Sequence, residues 1–368
     1  MTQAKARLLT GMGCVGSLVL TAVALLSTDA ISQLLPVRAI DPVQELVALT
    51  VFLMFVALLI LPFDIIGGLV IPAAFESTPP HPRAWVRQWS RSIVSQLLMH
   101  TFALFFYLQI GRAVGAPWLI PLFAVLQLGL LAGQELLWRL MTSNVRAKRS
   151  GKLVAFVTSN DRRFVGGVTG LPGLESILVP SSWQQTLNPE QLKVMLRRRE
   201  AALSSGARFR GIIGAMLWNI TCFSAAILLA GGIVNSVADL ATIFLWFLLL
   251  SFVGLLVLPA FSRRSVFALD RLLTQQTSPS ALNDAIEAVD QLTEQDTARS
   301  AVAESVFQPI PCPERRAHAL SMESEDAPGA WNVARLALYL TWAFGGPLAR
   351  SVHCNVGRPE LWAMLPAD

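Results

Sequence analysis

The sequence predicts a membrane-embedded, all-α bundle of about six transmembrane helices that carries a cytoplasmic α+β domain. Three observations point there. Hydrophobic residues make up 54% of the 368-residue chain and only 14% are charged, against roughly 25% charged in an ordinary soluble protein. Six apolar runs approach or exceed the roughly 20 residues that a bilayer crossing needs: 8–26, 46–75 (interrupted at Pro62 and Asp64), 93–110, 118–140, 212–234 and 240–261. Between and after them lie two long polar stretches able to fold in water, 142–211 and 262–368.

The first run follows Lys5 and Arg7, as a secretory signal would. Its apolar stretch is longer than the roughly 7–15 residues of a signal core, and Thr28-Asp29-Ala30 makes a poor cleavage site, so it reads as a retained anchor. Orientation follows from the basic residues. Arg83, Arg87, Arg91, Arg146, Lys148, Arg149, Lys152, Arg197, Arg198, Arg199, Arg208, Arg210, Arg263 and Arg264 all fall on one side, and Arg38 nearly alone on the other. Both termini are therefore expected in the cytoplasm, in a multi-pass protein of a bacterial-type inner membrane. The parts are 1–142 (four spans), 143–211 (cytoplasmic), 212–261 (a membrane hairpin) and 262–368 (cytoplasmic helices and tail). A net charge of +5 is too mild to argue for nucleic acid, and Cys14, Cys222, Cys312 and Cys354 show no close metal-ligand spacing.

Within the polar stretches, 153–158 (LVAFVT) and 176–180 (SILVP) read as strands around a glycine-rich turn region at 166–173. Asn188 is a good N-cap with Pro189 at the first helical position. Residues 281–291 read as helix, and 331–344 as an apolar segment that is either interfacial or a short seventh insertion.

The stretch 187–203, LNPEQLKVMLRRREAAL, carries the most information. At about 100° per residue, Leu192, Met195, Leu196, Ala202 and Leu203 share a helix face, with Arg199 near its middle and Arg198 at its edge. An arginine on an apolar stripe is costly unless it meets an anion. The plainer reading is a set of anchors snorkelling to lipid phosphates.

The stretch resembles the zinc helix of integral-membrane metallopeptidases of the CAAX-prenyl-protease and heat-shock-protease HtpX type, which are gluzincins. That family fills the slot with His-Glu-x-x-His, two zinc ligands and a base that activates the metal-bound water. Here the first His corresponds to Arg198, the catalytic Glu to Arg199 and the second His to Ala202. Upstream, VAFVTSNDRRFVGGVTGLPGLESILVPSSW is similar to the strand region preceding the zinc helix in this family. The resemblance implies a strand edge at Leu153, Ala155 and Val157 able to hold an extended peptide. Downstream, SRRSVFALDRLL is similar to the segment that supplies the third ligand, a Glu four residues before an Asp; those positions are Val266 and Asp270. FQPIPCPERRAHAL resembles a helix-capping F-H-P-x-P-x-x-x-R stretch of the family. The resemblance implies a gluzincin-like cytoplasmic domain with every ligand and the base replaced, hence no zinc and no other cofactor. His81, His100, His318 and His353, even with Cys312 or Cys354, offer no set at ligand spacing that would rebuild a site.

A carboxylate left in the old site needs a counter-charge, so Arg199 or Arg198 is expected to pair with Asp270 in place of the metal. Elsewhere, Glu135 and Arg139 should form a local ion pair, Asp64 marks an intramembrane carboxylate, and Asp284, Glu287, Asp290, Glu294 and Asp296 form an acidic helix face. The function expected is that of a catalytically inactive scaffold, assembly factor or accessory subunit. Its partners are membrane lipid and another membrane protein or complex, with an extended peptide as a further candidate. A divergent active zinc endopeptidase and a lipid- or ion-handling membrane protein are the alternatives.

Overall fold

The computed structural model describes residues 2–28, 30–38, 41–76, 79–142, 147–150 (backbone only), 153–159, 161, 163–293, 304, 309–322 and 329–363. Asp29, Arg146, Lys152, Glu294, Asp296, Phe307 and Gln308, and the side chains of Lys148 and Arg149, lie outside the described residues.

Among the described residues, six helices are long and apolar enough to cross a membrane. They include α1 (Gln3–Leu26), which a short α2 (Ala30–Leu34) follows, and α3 (Pro42–Ile65), continued through a π-turn at Ile66–Val70 into α4 (Ile71–Phe75). Then come α5 (Pro82–Val114) and α6 (Leu119–Met141). After the polar stretch 142–211 follow α9 (Ala207–Leu229) and α10 (Val237–Thr274). Each overlaps one of the expected runs, with α9 ending at Leu229, short of the expected 234. The interruption at Pro62 and Asp64 leaves the second crossing helical: Pro62 lies inside α3, and the helix continues through the π-turn. Helices α5 and α10 overrun their apolar windows, since hydropathy marks only the part that lipid surrounds. At 38 residues α10 is about 57 Å long, against roughly 30 Å of hydrocarbon. Its surplus carries Val266 and Asp270 out of the bundle.

The intervening polar stretch folds as a four-stranded sheet, β1 (Ala147–Ser150), β2 (Val154–Val157), β3 (Gly167–Thr169) and β4 (Ser176–Pro180), in the order β1-β2-β4-β3. Two of these were expected. β1 and β3 were not, because three or four residues amid basic or glycine-rich sequence carry no alternation to read. β2 lies inside the sheet, antiparallel to β1 (Ala147 opposite Val157, Ser150 opposite Val154) and parallel to β4. The expected peptide-holding edge at Leu153, Ala155 and Val157 is thereby corrected. The chain's own preceding hairpin arm already pairs with it.

A short α7 (Trp183–Thr186) leads into α8 (Pro189–Ser204), which starts as expected: the Asn188 side chain accepts from Gln191 N and the Gln191 side chain returns the bond. Helices α11 (Pro279–Thr293) and α12 (Pro313–Leu320) complete this domain. One core joins Val168, Ile177 and Val179 of the sheet to Met195 of α8, Leu269 and Leu273 of α10, and Leu282, Ile286 and Val289 of α11.

Of the two alternatives, the C-terminal segment takes the inserted one: it packs among the spanning helices, and most of it is buried. From Trp331, whose N–H donates to Ala207 O, α13 (Val333–Leu340) runs in among the spanning helices. A 3₁₀ turn at Thr341–Phe344 brings Phe344 edge-on to Tyr107 of α5, Phe223 of α9 and Phe247 of α10. The chain then returns through α14 (Leu348–Ser351). This re-entrant segment, grouped with the cytoplasmic residues on sequence grounds, is part of the core of the bundle. Irregular backbone at that depth is tolerable only when protein surrounds it.

Candidate functional site

Helix α8 presents Arg198 and Arg199 in different directions, about 100° apart, and both are fully buried. Arg198 faces α10, where its Nε donates to Asp270 Oδ1 at 2.7 Å. Arg199 faces the sheet, donating to the carbonyls of Leu178 (2.8 Å) and Val165, with its guanidinium stacked on Trp183 at 5.1 Å. Of the two arginines expected as alternatives, Arg198 is the one that meets Asp270, and Arg199 is not. Adjacent helical residues diverge too far to share one carboxylate.

Asp270 has a second arginine that the sequence reading missed. Arg316 of α12 binds it bidentately, Nε to Oδ2 at 2.7 Å and Nη2 to Oδ1 at 2.8 Å. Asp270 and Arg316 are 1% and 4% exposed. One carboxylate thus clasps α8, α10 and α12 together through two guanidiniums. The stretch holding Arg316 was noted for its family resemblance, but no local signal tells which of Arg315 and Arg316 turns inward. Arg315 instead reaches Glu304 at 2.8 Å.

A further buried arginine closes the edge of the sheet. Arg208, at the start of α9, donates from Nη2 to Gly170 O at 2.8 Å and Val168 O at 3.4 Å. The carbonyls of β3 and its following turn are thereby occupied.

The family resemblance implies zinc here, and the residues present do not fit it. A zinc centre needs three ligands and an open position. The corresponding side chains are a guanidinium already spent on Asp270, the methyl group of Ala202 and the isopropyl group of Val266, with Arg199 where the base belongs. Both oxygens of Asp270 are taken. Among the described residues no group of three or more His, Cys, Asp or Glu gathers around a common point.

The other candidates fall as follows. Glu135 and Arg139 form their i, i+4 ion pair. Asp64, fully buried, accepts from Arg350 Nη2 at 3.0 Å, Trp89 Nε1 at 2.9 Å and Gly357 N at 2.8 Å, so it anchors the returning tail. His100 is buried edge-on to Trp342. None of the four cysteines is in a disulfide.

Asp161, in the loop after β2, accepts from Arg358 Nε at 2.8 Å and from Arg163 N at 2.9 Å. Burial pushes its carboxyl up, but the charge and hydrogen bonds of Arg358 outweigh that and hold it below the usual carboxylate range.

No protein-family profile matches the chain, and no curated protein sequence does. The crystal structure of S. mikatae Ste24p, a membrane metallopeptidase of the CAAX-prenyl-protease type, does match it. The TM-score is 0.64 at 14% identity, over 82% of this chain and 79% of that one. Identity so low speaks to the fold alone. That fold is a Ste24p-like multi-pass membrane architecture with a small sheet domain.

Proposed function

We infer that this chain is a non-hydrolytic relative of the membrane metallopeptidases, acting as a scaffold or accessory subunit that holds another membrane protein. It sits in an inner membrane of bacterial type with both termini in the cytoplasm. The observation that supports this is the Arg198–Asp270–Arg316 clasp, in which guanidinium charge stands where the family places a metal. A guanidinium remains protonated and directs fixed hydrogen bonds, so it neutralises a carboxylate and joins helices. It offers no Lewis acid and no open position for water. Structure is kept while the chemistry of cleavage is gone.

Purified full-length protein, loaded with excess zinc and then desalted, tests the loss of hydrolysis. Metal analysis should find no stoichiometric zinc, and an unstructured test polypeptide should be cleaved no faster with metal than with chelator. About one zinc per chain with chelator-sensitive cleavage would establish the divergent peptidase instead. Extraction from native membrane in mild detergent tests the partner. A second membrane protein recovered in fixed ratio supports the scaffold, and recovery with lipid alone supports the lipid-handling alternative.

A further inference from the structure

Between α1, α10, α11 and the returning tail lies a cavity of about 400 Å³, within the range of small-molecule sites. Its lining changes character along its length. At bundle depth it is apolar, with Met12 and Val15 of α1, Phe252, Leu255 and Leu256 of α10, and Leu338 of α13. Towards the sheet domain it carries Arg163, Arg316, Arg335 and Arg358 against one carboxylate, Asp290. Met12 and Leu256 are 45% and 43% exposed, so the apolar end opens sideways, where lipid surrounds the bundle.

The tail itself is built around this space. Across 331–363 the residues that are not buried are Arg335, His353, Cys354, Arg358 and Leu361, and all five line the cavity. Arg335 stands out among them. It lies one helical turn, about 6 Å, beyond Trp331. Its guanidinium has no carboxylate partner among the described residues, and its Nε makes no hydrogen bond. A partly buried guanidinium facing this cavity gains from meeting an anion there. Arg163 and Arg358 already have Glu76 and Asp161, and Arg316 has Asp270.

We propose that this cavity binds an anionic phospholipid, its phosphate on Arg335 at the basic end and one acyl chain along Met12, Val15, Phe252 and Leu256. A phosphate supplies the missing counter-charge through charge-assisted bonds. The apolar continuation and its lateral opening select a lipid over a free anion, which would leave the apolar lining without a complement. The site stands independently of whether the chain also holds a protein partner.

Native mass spectrometry of the detergent-purified full chain, after incubation with phosphatidylcholine vesicles with or without phosphatidylglycerol, tests the proposal. Phosphatidylglycerol should be retained in preference to phosphatidylcholine. Arg335→Gln should weaken that retention about tenfold, the usual cost of one charge-assisted bond, and Arg335→Lys should recover part of it. Leu256→Trp, a change on an exposed rim residue, should block the chain-binding end with the fold intact, which keeps the test decisive if Arg335→Gln fails to fold. Inorganic phosphate alone should leave the melting temperature unmoved. Equal retention of both lipids, wild-type binding by Leu256→Trp, or full stabilisation by phosphate alone would each overturn the proposal, the last by making it a free-anion site.

Discussion

Asp270, 1% exposed, sits between two guanidiniums, and its negative charge offsets theirs. Replacing it with Asn keeps the shape and leaves Arg198 and Arg316 buried against each other. Breaking a buried pair in this way costs about 3–5 kcal/mol, and thermal unfolding in detergent should show a matching drop in midpoint. The triple change Arg198→Met, Asp270→Leu, Arg316→Met removes all the charge at once and should cost far less. If the triple variant is as unstable as Asp270→Asn, the clasp is not the source of the loss. Asp161 is paired in the same manner, in a somewhat less enclosed place. Its folded carboxyl lies below the usual range, so its contribution is complete above an unfolded value of about 3.9 and disappears as pH falls through the lower folded value. Asp161→Asn should therefore lower stability at neutral pH and flatten the acid slope; parallel wild-type and variant profiles down to pH 3 would contradict this. The sequence identified Asp270 and one of its partners because family spacing and an arginine on an apolar face converge there. It missed Arg316 because a contact across 46 positions leaves no local mark.

Among the elements, the helices were legible and the short strands were not. A crossing helix repeats its apolar signal over twenty residues, and Asn188 with Pro189 announces a start, whereas β1 and β3 have too few residues for alternation to register. Missing β1 is what made β2 look like an edge. The tail stayed open between an interfacial helix and a short insertion for a related reason: an apolar segment of about a dozen residues looks the same whether lipid or protein surrounds it. Its placement depends on close approach of backbone to backbone. At Gly68 in the π-turn, a Cβ would stand 2.1 Å from Trp85 Nε1 and 2.4 Å from Gly357 O. Trp85 Nε1 donates to that same carbonyl at 2.9 Å, so neither atom can yield without losing the bond. Gly68→Val should therefore push the returning tail off the second span and cost about 1–3 kcal/mol. Limited proteolysis would show it as faster cleavage within 353–363, with the sheet domain protected as before. Unchanged cleavage there would mean that the contact does not hold the tail.

Taken whole, the molecule is a bundle whose interior is completed by its own C-terminus. Trp331, Tyr339, Trp342, Phe344 and Trp362 are at most 2% exposed, and aromatic side chains of this size bury about 150–250 Å² each. Polar groups on the surrounding helices are matched to the tail at depth. Tyr339 donates to Leu130 O at 2.8 Å, Asn219 to Ala337 O at 2.8 Å, Trp138 to Glu360 O at 3.0 Å and Gln134 to Ala363 O at 2.9 Å. Without the tail these groups would face one another across an unfilled space, and donors and acceptors in a low-dielectric interior are costly to leave unmade. Lipid could fill the volume but could not supply those hydrogen bonds. A chain ending at residue 329 should therefore insert into the membrane, because its six spans are intact, yet fail to pack. In mild detergent it should elute as a broad, aggregating species and lose a cooperative melting transition. Co-expression of 330–368 as a separate peptide should restore part of the monodisperse fraction, since the interactions lost are ones of packing rather than chain connection. A truncated chain that elutes sharply and melts at the wild-type temperature would show that the spans make a complete core by themselves and that the tail only occupies it.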